Sequence, residues 1–259
     1  MKIQRNNSIN QIDLSIIIPC WNEEKTIYSL LAKTFEKLKD KKLKFEVIVI
    51  NDESSDNTLF EAEKYKDPRL SIISNKKNLG FGGSFWVGVK AAKGSFILMI
   101  PGDGQILIDD MIDVFWLTNH VDVIVPFMMN SFIRSAKRRL ISNLYRAVIN
   151  FSFGLTLNYT NGSVIYRSSI LKSIKPFSTS FFFQTEILVT IIKSKYLYAE
   201  IPIKLNAEDG KSSSAFKLKS IRAVFIDYFK LLYKVLFEKK NILLRLTSDS
   251  MTKKRLNLK

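Results

Sequence analysis

A chain of 259 residues that carries one cysteine, Cys20, and one histidine, His120, lacks the raw material for several kinds of site. Cys20 alone excludes a disulfide framework and a cysteine-rich zinc centre, and it fits a reducing compartment. One imidazole cannot build a multi-histidine metal site. His120 follows an amphipathic stretch, which predicts a surface or loop position. No run of 18 apolar residues occurs, so no segment plainly spans a bilayer. The stretch Met1–Asp13 is polar, and the apolar run Leu14–Cys20 behind it is too short for a secretory signal. Internal repeats and low-complexity tracts are missing too. Acidic residues are in short supply: 24 Asp and Glu against 40 Lys and Arg leave a net charge of +16. That excess implies an anionic partner, and nucleic acid, anionic lipid and phosphorylated small molecules all qualify.

What the chain does have is a core. A hydrophobic share of 46% excludes a disordered chain, and the length suits one large α/β domain with or without an appendage. Leu14–Ile18 reads as a buried strand stopped by Pro19, Glu46–Ile50 as a second, Leu70–Ile73 as a third, Phe96–Ile100 as a fourth and Asp122–Val125 as a fifth. Between them lie helical patterns, the first with Ile27, Leu30, Leu31, Thr34, Phe35 and Leu38 at helical spacing. Another helix opens at Asn78–Ser84 and runs to about Ala92, and a further one lies near Asp109–Leu117. This rhythm predicts βαβ units and a mostly parallel sheet. Right-handed crossovers then bring Cys20–Glu24, Asn51–Asp56 and Pro101–Gln105 to one rim, at the carboxyl ends of the strands, where open α/β sheets hold their ligands. Asp103, between Gly102 and Gly104, is the carboxylate of the third loop; a plain acidic turn capping the next helix is its bland alternative. Asn22 and Glu23 can likewise serve as helix caps.

Past Pro126 the rhythm changes. Arg134, Lys137, Arg138, Arg139 and Arg146 share a segment with Leu140, Leu144, Ala147, Val148 and Phe151 at helical spacing, a basic amphipathic helix. A strand ending near Tyr166, a helix from about Phe181 to Ser194 carrying Gln184 and Glu186, and a last strand Tyr196–Leu205 follow, Pro202 suggesting an edge. Glu208–Ser214 reads as a flexible linker, Ser220–Phe237 as a helix, and the basic tail beyond Glu238 as disordered. On the last helix, helical spacing sets Lys219, Arg222, Asp227, Lys230 and Lys234 on one side and a wide apolar face over the rest. That pattern suits a helix lying on an anionic leaflet, or one docked onto its own domain or a partner.

Taken together, these loops resemble a family 2 glycosyltransferase. Pro19-Cys20-Trp21-Asn22-Glu23-Glu24 is similar to that family's P-A-Y-N-E-E, Asn51–Thr58 to its D-D-G-S-T-D-G-T loop, Asn78–Ser84 to N-x-G-x-G-x-A, and Pro101–Gln105 to the metal motif D-x-D-x-Q. Asn158–Arg167, Phe183–Glu186 and Gly210–Ser213 resemble later elements of the polyprenyl-phosphate sugar synthase branch, typified by dolichyl-phosphate mannosyltransferase. There are departures: Pro101 replaces the first aspartate of the metal motif, Asn51 that of the second loop, and no arginine precedes Gly210.

The resemblance implies a GT-A-type nucleotide-binding α/β fold with a mostly parallel central sheet. Residues 14–207 would form this domain, behind a polar extension over 1–13 and ahead of a linker, membrane-associated helix and basic tail over 208–259. It implies an inverting transfer from a UDP- or GDP-sugar, dependent on Mg²⁺ or Mn²⁺ held by Asp103 with Gln105. Mg²⁺ takes only one or two protein carboxylates beside substrate phosphates, so one aspartate is sufficient in principle. Pro19, Asn22, Glu23, Asp52 and Gly82 would hold the nucleotide, Asp52 as acceptor for a base N–H. A lipid-phosphate acceptor is already anionic and needs cations, for which Arg134, Arg138, Arg139 and Lys211 are candidates. A saccharide hydroxyl, as in surface polysaccharide or lipopolysaccharide assembly, would instead need a base, and Glu186 is the candidate. With a phosphate acceptor Glu186 would only orient the acceptor or the metal shell. The expected setting is the cytoplasmic face of a membrane, with no nucleic-acid partner. A degenerate, non-catalytic binder of lipid or nucleic acid is the remaining alternative.

Overall fold

The computed structural model of the protein describes residues 11–103, 108–204, 218–238 and 242–257. Seven strands form one sheet in the order β3-β2-β1-β4-β6-β5-β7. β1 (Leu14–Cys20), β2 (Phe45–Asn51), β3 (Leu70–Ser74) and β4 (Phe96–Met99) are mutually parallel. β6 (Ile165–Arg167) runs antiparallel between β4 and β5 (Val123–Met128), and β7 (Tyr198–Ile203) closes the far edge beside β5. Pro202 does lie on that edge strand. β1 and β2 are buried along their full lengths, which is why they read as unbroken apolar runs. The helices α1 (Ile27–Leu38) and α2 (Thr58–Lys64) follow β1 and β2.

Pro19 does not stop β1. Its carbonyl accepts from Gly102 N, so its ring nitrogen faces the β4 side just past Met99, where no ladder bond is lost. Nor do the side chains of Asn22 or Glu23 cap α1; the Glu23 carbonyl takes the Thr26 and Ile27 N–H groups instead.

The sheet's two faces carry separate apolar clusters. Leu14, Ile16 and Ile18 meet α1 through Ile27, Leu31 and Phe35, while Ile17, Ile48 and Ile97 meet α3 (Gly80–Ala91) and α7 (Phe183–Lys193) on the other face. α3 sits so close to β1 that a Cβ on Gly88 would lie 2.4 Å from Ile17 Cγ2. Gly88→Ala should therefore force the helix off the sheet and destabilise the fold by about 1–3 kcal/mol. An unfolding midpoint unchanged in urea would contradict this packing.

The helix expected near Asp109–Leu117 is divided into α4 (Ile108–Asp113) and a 3₁₀ turn over Phe115–Asn119. The long basic helix α5 (Ala136–Phe153) forms as expected, capped by Ser135, whose hydroxyl accepts from Arg138 N. Its orientation is the surprise. Ile149 and Phe153 face the core, while Leu140, Leu144 and Phe151 point outward at 70%, 64% and 92% exposure. α6 (Ser168–Ser173) is a short turn behind β6.

α8 (Leu218–Phe237) docks on the domain with Asp227 and Leu231 inward, so Asp227 is not part of the outer cationic edge expected from helical spacing. Residues 242–257 are not a loose tail. They return to the sheet and end in α9 (Met251–Leu256), held by the buried Asp122, which accepts from Arg167 Nε, Met251 N, Thr252 N and the Thr252 hydroxyl. The linker expected at 208–214 falls outside the described residues.

Candidate active site

Three strand ends deliver the rim, and hydrogen bonds between their loops make it stiff. Asn22, with φ of +57°, accepts Ser55 N at 2.8 Å on its side-chain oxygen. Its own N–H donates to the Ser54 hydroxyl. Glu23 N donates to Thr58 Oγ1 at 2.7 Å, Glu24 N to Asp56, and Asn57 N to the Glu24 carboxylate. The left-handed backbone at Asn22 is one that asparagine tolerates better than most side chains, which suits this position. Gly102 joins the third loop to the first: its N–H reaches Pro19 O and its carbonyl accepts from the Thr26 hydroxyl. A Cβ here would lie 2.8 Å from Cys20 Sγ, so only glycine lets the two loops touch.

Asp103, half-buried at the end of this loop, stands beside the first loop. Burial pushes the Cys20 thiol pKa up, and the nearby negative charges of Glu23, Asp103 and Asp56 push it further. No group of three or more His, Cys, Asp or Glu side chains able to hold a metal occurs among the described residues. Asp103 therefore suits an ion that takes few protein carboxylates and draws its other ligands from substrate phosphates and water. Gln105, the other expected ligand, lies outside the described residues.

Asp52 is buried, and its two oxygens take three donors: Asn75 Nδ2 at 2.7 Å, Leu79 N at 2.8 Å and Gly80 N at 2.9 Å. That carboxylate holds the entry to α3. At Gly82 the N–H donates to Thr179 O, and a Cβ would come within 2.8 Å of that carbonyl. Pro19, Asn22 and Glu23 lie on the rim beside Asp103.

A cationic cluster comes from the start of α5. Arg134 Nη1 donates to the Tyr159 hydroxyl at 3.3 Å, and Arg138 stands half-buried beside both. Burial lowers the Arg138 pKa and the charge of Arg134 lowers it further, while Tyr159 and Asp103 pull the other way. Arg138 lies within electrostatic reach of Asp103, and guanidinium stays charged through such shifts. Arg139 is turned away, donating to the Phe132 and Arg134 carbonyls. Lys211 falls outside the described residues.

Glu186 is 2% exposed, and its two oxygens accept from Phe177 N at 3.1 Å and Ser178 N at 3.0 Å. It ties the 177–181 loop to α7, and its charged neighbours are Lys234 and Asp227 of α8. Burial raises its pKa to about 7 against the opposing pull of the two N–H groups and Lys234. Since the folded value exceeds the ordinary carboxyl value, this group's contribution to stability is full below about pH 4.5 and is lost as pH rises through about 7. Between pH 5 and pH 8 the wild type should lose roughly 2–3 kcal/mol more unfolding free energy than Glu186→Gln, at about 1.4 kcal/mol per pH unit. Equal pH slopes for the two proteins would refute it.

Several partners escaped the sequence reading. Asn75 and Ser84 complete the Asp52 knot, Tyr159 sits between the arginines, and Asp227 accepts from the Ser178 and Ser180 hydroxyls, both at 2.7 Å. Only Tyr159 carried a signal, since it lies within the Asn158–Arg167 segment already singled out.

A seven-stranded, mostly parallel sheet with its polar loops at the carboxyl-end rim is an α/β domain of the GT-A type. Residues 15–175 match the family model described as glycosyl transferase family 2, and the chain belongs to that family. It is 34% identical over 109 residues to a dolichyl-phosphate beta-glucosyltransferase of Trichomonas vaginalis, covering 39% of this chain and 33% of that protein. It is 26% identical over 179 residues to a dodecaprenyl-phosphate galacturonate synthase of Rhizobium johnstonii, covering 66% and 52% respectively. The chain thus spans about a third to a half of the length of these curated relatives. Among solved structures, glucosyl-3-phosphoglycerate synthase from Mycobacterium tuberculosis, in complex with Mn²⁺, UDP-glucose and phosphoglyceric acid, superposes with a TM-score of 0.65 at 16% identity. That match covers 85% of this chain and 80% of the synthase. At that identity the likeness concerns the fold alone.

Proposed function

We propose that this enzyme moves a sugar from a nucleoside-diphosphate sugar, UDP- or GDP-linked, onto polyprenyl phosphate at the cytoplasmic face of a membrane. The observation that carries the reading is the cluster of Arg134, Tyr159 and Arg138 at the start of α5, with Arg138 within electrostatic reach of Asp103. Guanidinium groups suit a phosphate acceptor, which attacks as an anion and needs no base. The side chain offered as base for a hydroxyl acceptor, Glu186, is committed to the main chain. The names of the dolichyl- and dodecaprenyl-phosphate relatives support the same acceptor class.

In this reading Pro19, Asn22 and Glu23 border the nucleotide, and Asp103, with Gln105, would hold Mg²⁺ or Mn²⁺ against the donor diphosphate. A divalent ion there would offset the charge that builds on the leaving diphosphate. Arg134 and Arg138 orient the acceptor so that a phosphate oxygen forms the new bond to the anomeric carbon. The bond to the donor diphosphate breaks on the opposite face, with inversion. A nucleic-acid partner plays no part.

Replacing both Arg134 and Arg138 with alanine should raise the KM for polyprenyl phosphate roughly tenfold or more, charge-assisted bonds of this kind contributing about 1.5–3 kcal/mol each. The donor KM should stay near the wild-type value. An unchanged acceptor KM would remove the arginines from the acceptor site.

A further inference from the structure

The described residues include 21 large hydrophobic side chains left exposed, and fifteen of them fall on two segments: eight between Met129 and Phe151, seven on α8. Scattered apolar residues on a surface need no explanation, but this concentration does. The two helices are neighbours. Ser152 Oγ and Tyr228 OH lie 2.7 Å apart, and the Phe153 and Tyr228 rings meet edge-on. α8 carries Phe225, Phe229 and Phe237 outward at 61%, 55% and 73% exposure. Between α8 and Phe177 lies an apolar groove of 670 Å³ bordered by Lys230, Lys234 and Glu238.

The charge on these helices is one-sided. α5 contains Lys137, Arg138, Arg139 and Arg146 and no acidic residue. α8 contains Lys219, Arg222, Lys230 and Lys234, and its one acid, Asp227, is turned into the protein. Apolar stripes flanked by cations of a single sign fit an anionic lipid surface. They fit a second copy poorly, because two such faces would set like charges together in chains that each carry +16.

We propose that the outward faces of α5 and α8 together form the surface by which the protein docks on an anionic lipid bilayer. This supplies the membrane partner for the acceptor reading above and rests on it for its biological sense. Arg138, on the first turn of α5, stands at the edge of that surface, so the guanidinium pair opens next to the leaflet that would hold a lipid phosphate.

The test is flotation of the full chain with vesicles of phosphatidylcholine alone or mixed with phosphatidylglycerol. The protein should float with the mixed vesicles and be released by high salt. The pair Leu144→Glu and Phe151→Glu on α5, and separately Phe225→Glu and Phe229→Glu on α8, should each lower the bound fraction roughly tenfold or more. Melting temperatures should stay near the wild-type value, because these side chains are exposed. Failure of the wild type to float, or flotation that neither pair reduces, would overturn the proposal. A dimer in solution that the same pairs dissociate, without vesicle binding, would give the face to a second copy and overturn it as well. Transfer to detergent-solubilised polyprenyl phosphate separates the two readings: intact transfer without flotation sinks the docking surface alone, and flotation without transfer sinks the acceptor reading alone.

Discussion

Asp103→Ala should lower sugar transfer by about 10²–10³-fold or more, the range seen when one electrostatic contact to a developing anion is removed. The size follows from the departures in the motif. Pro101 stands where the family has the first aspartate of the metal motif, so the motif here keeps only Asp103. Fold stability should barely change, because Asp103 is half-exposed and the close loop contact is made by Gly102. Transfer rate and melting temperature, measured on the same preparation, check both halves. Transfer at the wild-type rate would return Asp103 to the status of a turn residue.

Asp122→Ala should have the largest effect on stability, about 3–5 kcal/mol, the usual cost of leaving one member of a buried ion pair without its partner. Asp122 is 1% exposed and takes four donors, one of them from the buried Arg167. Its removal leaves that guanidinium with only the Thr118 carbonyl and the more distant, half-exposed Asp249, and frees the start of α9 as well. Limited proteolysis should then cut in the segment 242–257 well before the rest of the chain, and the melting temperature should fall. A variant with the wild-type midpoint and an intact carboxyl end would mean that the segment is held by its apolar contacts alone.

The fold was legible wherever a short-range pattern decided it. β1 and β2 are unbroken apolar runs because both faces are covered, and the alternation with helices brings three polar loops to one rim whatever their letters. Where the sequence misled, a long-range partner decided the outcome. The stripe Leu140, Leu144, Phe151 has the spacing of a core-facing surface, and only the position of Ile149 and Phe153 against α8 shows that it faces out. Helical spacing groups Asp227 with the cations, yet Ser178 and Ser180, some 47 residues away, draw it inward. Asp52 and Glu186 also accept from backbone N–H groups that no motif reveals. The basic tail reads as loose because its anchor, Asp122, lies more than a hundred residues upstream.

The most direct test of the central claim is to incubate the protein with Mn²⁺ or Mg²⁺, polyprenyl phosphate and a panel of labelled UDP- and GDP-sugars, then extract into organic solvent. Label should pass into the organic phase with one donor, and Asp103→Ala should leave it in water. Absence of lipid-borne label with every donor, while label appears on a saccharide acceptor, would contradict the account.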